Sequence, residues 1–96
     1  MLLRSYNIGD EIEIEKDGRT VINMTVQRIS RKNDISSVGL QVNAFNQSYE
    51  AIVNNLNFSS LAKGFRLKVS DERFRDSGRL VQLIFDVDKA YHFVRV

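Results

Sequence analysis

Period two governs most of this chain. Ile12 and Ile14 alternate with Glu11, Glu13 and Glu15. Side chains of an extended chain point to alternate faces, so this pattern predicts a strand with one dry and one wet face. Lys16-Asp17-Gly18 follows at once. Asp-Gly is a tight-hairpin signal, because Gly accepts the left-handed backbone such a turn needs. A return strand is expected from about Thr20 to Ile29, where β-branched residues suit a pleated surface. Ser30 to Ser37 is polar and reads as a turn or loop. Val38, Leu40, Val42 and Ala44 then line one face of another strand. Further on, Phe65, Leu67 and Val69 face away from Arg66 and Lys68. Residues 71–78 read as a charged loop. Leu80 to Val87 is the most apolar stretch, which suits a central strand. Asp88-Lys89 makes a turn, and Tyr91 to Val96 closes the chain as a strand.

The period changes once. Tyr49, Ile52, Val53 and Leu56 fall at helical spacing. Asn46 or Ser48 offers an N-cap oxygen to a free backbone N–H. These features predict one short helix over about residues 47–57, limited by Asn54, Asn55 and Asn57. Ser59 to Lys63 reads as a further turn ending at Gly64. The fold class expected is mainly β: a small β-barrel or rolled antiparallel sheet of roughly five to seven strands with that helix. Its 96 residues suit a single domain, 1–96, with one core.

Composition removes most catalytic machinery. The chain has no Cys and one His, His92. A disulfide scaffold, a thiolate zinc site, a Cys nucleophile and a two-His metal site are all excluded. Ser36 and Ser37 lack the Gly-x-Ser-x-Gly context of a hydrolase nucleophile. Gly9, Gly18, Gly39, Gly64 and Gly78 are too scattered to cradle a phosphate. Glu11, Glu13 and Glu15 share one strand face, a pattern that can support acid–base chemistry or bind a hard cation. The simpler reading is a solvated face that discourages edge pairing. His92, between Tyr91 and Phe93, reads as a base, a stacking group or an ordinary edge-strand residue. The sequence shows no group to orient it. A non-catalytic protein without metal or cofactor is expected.

Charge is modest in total, at +2, but segregated. Residues 1–18 carry a net −3, residues 19–32 a net +4 and residues 63–79 a net +3. Arg66, Lys68, Arg73, Phe74, Arg75 and Arg79 interleave cations with a ring. Cations neutralise phosphates and an exposed ring stacks on bases, so this composition suits a single-strand binder. The simpler reading makes Phe74 an anchor and the Arg residues solvated. Arg28, Arg31 and Lys32 form a second basic run, whose value depends on facing the first. No apolar run reaches the roughly 18 residues of a membrane span. The N-terminus has no signal-peptide core, so a cytoplasmic setting is expected.

Two resemblances add to this reading. Met1-Leu2-Leu3, Ile8-Gly9-Asp10, Ile12 and Ile14, with Val38-Gly39-Leu40-Gln41-Val42-Asn43-Ala44, resemble the carbon storage regulator family of dimeric RNA-binding translational regulators. The likeness covers about half of the chain, with an insertion near 16–34 and nothing matched over 58–96. It implies a small β fold, a helix after Ala44, dimerisation and control of an mRNA leader. Of the family's binding arginines only Arg4 has a counterpart; Tyr6 stands where the first-strand Arg is expected. Asp34-Ile35-Ser36-Ser37-Val38-Gly39 is similar to the Asp/Asn-x-Ser-x-x-Gly motif of PilZ domains, which bind cyclic di-GMP. The upstream Arg-x-x-x-Arg of those domains is approached only by Arg28 and Lys32, and Lys lacks the planar fork.

The function expected is a small non-catalytic module binding RNA or single-stranded nucleic acid. Its candidate residues are Arg4, Arg28, Arg31, Lys32, Arg66, Lys68, Arg73, Phe74, Arg75 and Arg79, with Tyr91 as a second stacking ring. A protein-interaction module, such as a phage-encoded inhibitor or adaptor, is the alternative. A degenerate cyclic di-GMP binder is the third reading. Homodimerisation fits all three, since a small sheet has edges to cover.

Overall fold

A computed structural model describes residues 1–70 and 80–94. Among the described residues nine strands run β1 (Leu2–Asn7), β2 (Glu11–Lys16), β3 (Arg19–Lys32), β4 (Ile35–Ala44), β5 (Gln47–Asn54), β6 (Ser59–Ala62), β7 (Phe65–Val69), β8 (Leu80–Val87) and β9 (Tyr91–Val94). They form two antiparallel sheets. The first has the order β1-β8-β7-β6 and the second β5-β4-β3-β2-β9. The sheets are not closed into a barrel, and more strands form than the sequence period suggests.

Alternation decides which side chains meet between the sheets. Ile12, Ile14, Ile22, Met24, Leu40, Val42 and Val53 of the second sheet are buried. So are Phe65, Leu67, Val69, Val81, Leu83 and Phe85 of the first. Rings join the two layers. Phe85 on β8 meets Phe93 on β9 edge to face at 4.8 Å, and Phe65 on β7 meets Tyr91 at 5.4 Å.

The β3 strand shows how one extra residue re-aims a surface. Ile22, Met24 and Val26 point inward, so strict alternation would turn Arg28 inward as well. A bulge at Gln27 shifts the register, pairing Val26 with Leu40 and Arg28 with Gly39. Arg28 therefore points out, and Ile29 faces the core. The stretch Ser30–Ser37 is not a loop. It continues β3 to Lys32, turns at Asn33-Asp34 (φ 52° and 65°) and starts β4.

The short helix expected over 47–57 is absent. Gln47–Asn54 pairs along its whole length with β4, from Ala44↔Gln47 to Ser37↔Asn54. Tyr49, Ala51 and Val53 face inward at period two, while Ile52 is 63% exposed and Leu56 59% exposed. The helical spacing holds only if Ile52 and Leu56 belong to the core, and both are exposed while the smaller Ala51 faces inward. Ser59–Ala62 is likewise a strand, and the helix that the first resemblance implies after Ala44 is not formed. Val53→Ala should cost about 2 kcal/mol by opening a cavity. Ile52→Ala should stay within about 0.5 kcal/mol. Urea melts of the pair check this; a helix would reverse the order. Among the described residues there is no helix long and apolar enough to cross a membrane.

Candidate nucleic-acid interface

Two of the expected cations meet on one sheet face. Arg66 and Lys68 alternate with the buried Phe65, Leu67 and Val69, so both lie on the outer face of the first sheet. Ser59 pairs with Leu67, which brings the preceding Phe58 alongside Lys68. The Arg66 guanidinium carbon lies 4.9 Å from the centre of the Phe58 ring, and the Lys68 ammonium 5.3 Å. Both cations are attracted by the negative ring face. Arg66 is also ion-paired with Asp86, its cross-strand neighbour on β8. That pair is exposed and contributes under about 1 kcal/mol, so it leaves Arg66 able to exchange partners. The result is a half-buried aromatic ring flanked by two cations.

Phe58 was missed in the sequence because it follows Asn54-Asn55-Leu56-Asn57, where no alternation flags it. The available signal was an isolated ring in a polar run opposite a basic strand.

The other candidates are dispersed. Arg31 is exposed, and its Nη2 donates to the Leu80 carbonyl at 3.1 Å. It thus ties the β3–β4 hairpin to the first residue of β8, and serves the fold. Lys32 is exposed beside the Asn33-Asp34 turn. Arg28 lies on the outer face of the second sheet, ion-paired with Glu50. Its side chain crosses Gly39, with Nε 3.0 Å from where a Cβ would stand. Arg28 and Lys68 therefore occupy opposite sides of the molecule, so these members of the two basic blocks do not share a face. Arg73, Phe74, Arg75 and Arg79 lie outside the described residues, in the connection that leaves β7 after Lys68.

Arg4 faces a different cleft. It sits on the inner side of β1, 5.3 Å from the centre of the Phe93 ring. The cleft, about 600 Å³, also receives Tyr6, Asp10, Glu11 and Glu13. Burial pushes the Tyr6 hydroxyl above its ordinary value of 10.0; Arg4 pulls it down and Asp10 adds to the rise. With three carboxylates beside it, Arg4 is poorly placed for a phosphate. Tyr91 is no stacking ring either. It is 7% exposed, and its hydroxyl donates to the Lys63 carbonyl at 2.9 Å.

The PilZ-like segment is engaged in the fold. Asn55 accepts from the Ser36 N–H at 3.1 Å and donates to the Asp34 carbonyl at 3.3 Å. Among the described residues no three His, Cys, Asp or Glu side chains cluster to hold a metal. The Glu13 carboxylate accepts from the Thr20 hydroxyl at 3.1 Å. No family model, curated protein or solved structure matches the chain.

Proposed function

We propose that the protein is a small non-catalytic module that binds RNA or single-stranded nucleic acid on the outer face of its first sheet. The observation that carries this reading is Phe58 held between Arg66 and Lys68. A base stacked on the Phe58 ring brings its own phosphate within reach of both cations. Arg73, Phe74, Arg75 and Arg79 follow Lys68 in sequence and are proposed to add to the same basic block. Control of translation in the cytoplasm is what the first resemblance adds.

Fluorescence anisotropy with randomised single-stranded RNA, read across a salt series, tests the reading. Single-strand binding loses about 0.7 log units of affinity per log unit of salt for each phosphate neutralised. Arg66→Ala with Lys68→Ala should flatten that slope by about 1.4. Phe58→Ala should weaken binding by about 1–3 kcal/mol with little change in slope. Absence of binding at low salt, or binding indifferent to all three substitutions, would refute it.

The edge of β1 supports a homodimer. Among the described residues β1 pairs only with β8, and Met1, Leu3 and Ile8 are 93%, 47% and 54% exposed. No Pro, Lys or bulge blunts this edge, which leaves its backbone groups open to a second copy. Light scattering of the same samples reads the mass; a single chain refutes the dimer.

A further inference from the structure

Three hairpin turns of the second sheet place both central residues in the left-handed region. They are Asp17-Gly18 (φ 56° and 76°), Asn33-Asp34 (52° and 65°) and Phe45-Asn46 (50° and 66°). The first two use Gly, Asn and Asp, which tolerate this backbone. The third places a bulky aromatic there, which bulky side chains rarely adopt. Packing does not compensate, since Phe45 is 52% exposed. A strained residue whose side chain is presented to solvent points to a use for that side chain.

The ring stands at the rim of a concavity of about 410 Å³ on the outer face of the second sheet. Asn23 on β3 and Asn43 on β4 pair directly across its floor, and Asn46 and Gln47 stand at its end. The neighbouring hydroxyls are engaged: Thr20 donates to Glu13, and Ser48 accepts from Gln41 at 2.9 Å. Among the described residues, the side-chain amides of Asn23, Asn43, Asn46 and Gln47 make no hydrogen bond. Among the described residues no charged side chain lines the concavity.

Four amides with donors and acceptors unused, one exposed ring and no charge define the complement. Each amide offers an N–H₂ and a carbonyl, which together match the vicinal hydroxyls of a sugar. The ring offers an apolar surface to the C–H face of a pyranose. Among the described residues lining it, a phosphate or carboxylate finds no cation. We propose that this concavity is a binding site for a neutral carbohydrate, with Phe45 stacking on the sugar ring and Asn23 and Asn43, paired on the outer face, holding its hydroxyls. It lies on the sheet opposite Phe58, Arg66 and Lys68, so it stands independently of the nucleic-acid reading.

The test is an NMR titration of the labelled protein with maltose, cellobiose, lactose and N,N′-diacetylchitobiose. Side-chain amide signals of Asn23 and Asn43 should shift with at least one of the four. Phe45→Asn should weaken that affinity at least about tenfold. The same substitution should raise the melting temperature by about 4–8 °C, because Asn accepts the backbone that strains Phe. Loss of binding in a more stable protein separates a contact from a folding defect. Silent amide signals with all four sugars would overturn the proposal, as would unchanged binding by Phe45→Asn. Salt-dependent shifts of these signals by single-stranded RNA, with none by sugar, would overturn it too. Arg66→Ala with Lys68→Ala should leave sugar binding intact.

Discussion

Phe85→Ala is expected to destabilise the protein by about 3–5 kcal/mol, the ordinary cost of emptying a buried Phe site. Phe85 is fully buried on β8, between Leu2 of β1 and Leu67 of β7. Its ring meets Tyr6 at 6.3 Å, Phe65 at 6.1 Å and Phe93 at 4.8 Å. Two of these contacts, to Tyr6 on β1 and Phe65 on β7, lie within the first sheet, and the shortest, to Phe93, reaches the other sheet. The cavity therefore opens at the seam that holds the layers together. Stiff strands on both sides limit how far the site can collapse, which places the cost at the upper end. Domains of this size have about 5–15 kcal/mol in all, so the variant is left marginal. The melting temperature should fall by on the order of 20 °C. Near-ultraviolet circular dichroism follows the rings directly. A loss below about 1 kcal/mol would mean that the sheets are held chiefly elsewhere.

The strands that a reader can find are those whose alternation is unbroken. Ile12 and Ile14 against three Glu residues, Val38 to Ala44, Phe65 to Val69 and Leu80 to Val87 each carry a period of two, and each forms a strand. The Asp17-Gly18 turn was legible for the same kind of reason, since one Gly in the right place specifies its backbone. The errors have physical sources. β3 crosses a bulge at Gln27, which reverses the pattern and makes its second half look like a loop. β5 carries outward Ile52 and inward Ala51, so size misleads about direction. Its turn uses Phe45-Asn46 with no Gly or Pro, which hides the hairpin.

The candidate site was half legible. Arg66 and Lys68 share a face because β7 alternates, and that much follows from spacing. The ring beside them is Phe58, brought there by pairing between β6 and β7, a non-local fact that spacing cannot carry. Arg4 and Arg31 illustrate the converse. Both are exposed cations, yet the fold sets them against the Phe93 ring and the Leu80 carbonyl. Counting charges finds a basic protein; only register says which charges face a ligand.

Gly64→Ala is expected to cost about 2–3 kcal/mol, more than the same change at Gly18. Both glycines have a left-handed backbone, φ +79° and +76°. That conformation alone costs an L-residue about 1–2 kcal/mol. At Gly18 nothing stands within 4 Å of an added Cβ, so the backbone term is the whole effect. At Gly64 the methyl would run into the Asp88 carboxylate. Asp88 is not idle there. Its N–H donates to the Gly64 carbonyl at 2.8 Å, and its carbonyl accepts from the Tyr91 N–H at 3.1 Å. Tyr91 in turn reaches back to Lys63. This corner is where the chain leaves β8 in the first sheet and enters β9 in the second, so pushing Asp88 away loosens the crossover. The two causes separate in a double-mutant cycle. Asp88→Ala in the Gly64→Ala background should recover the steric share, while the backbone share remains. If Gly64→Ala costs no more than Gly18→Ala in urea unfolding, the carboxylate moves freely and the corner contact contributes nothing.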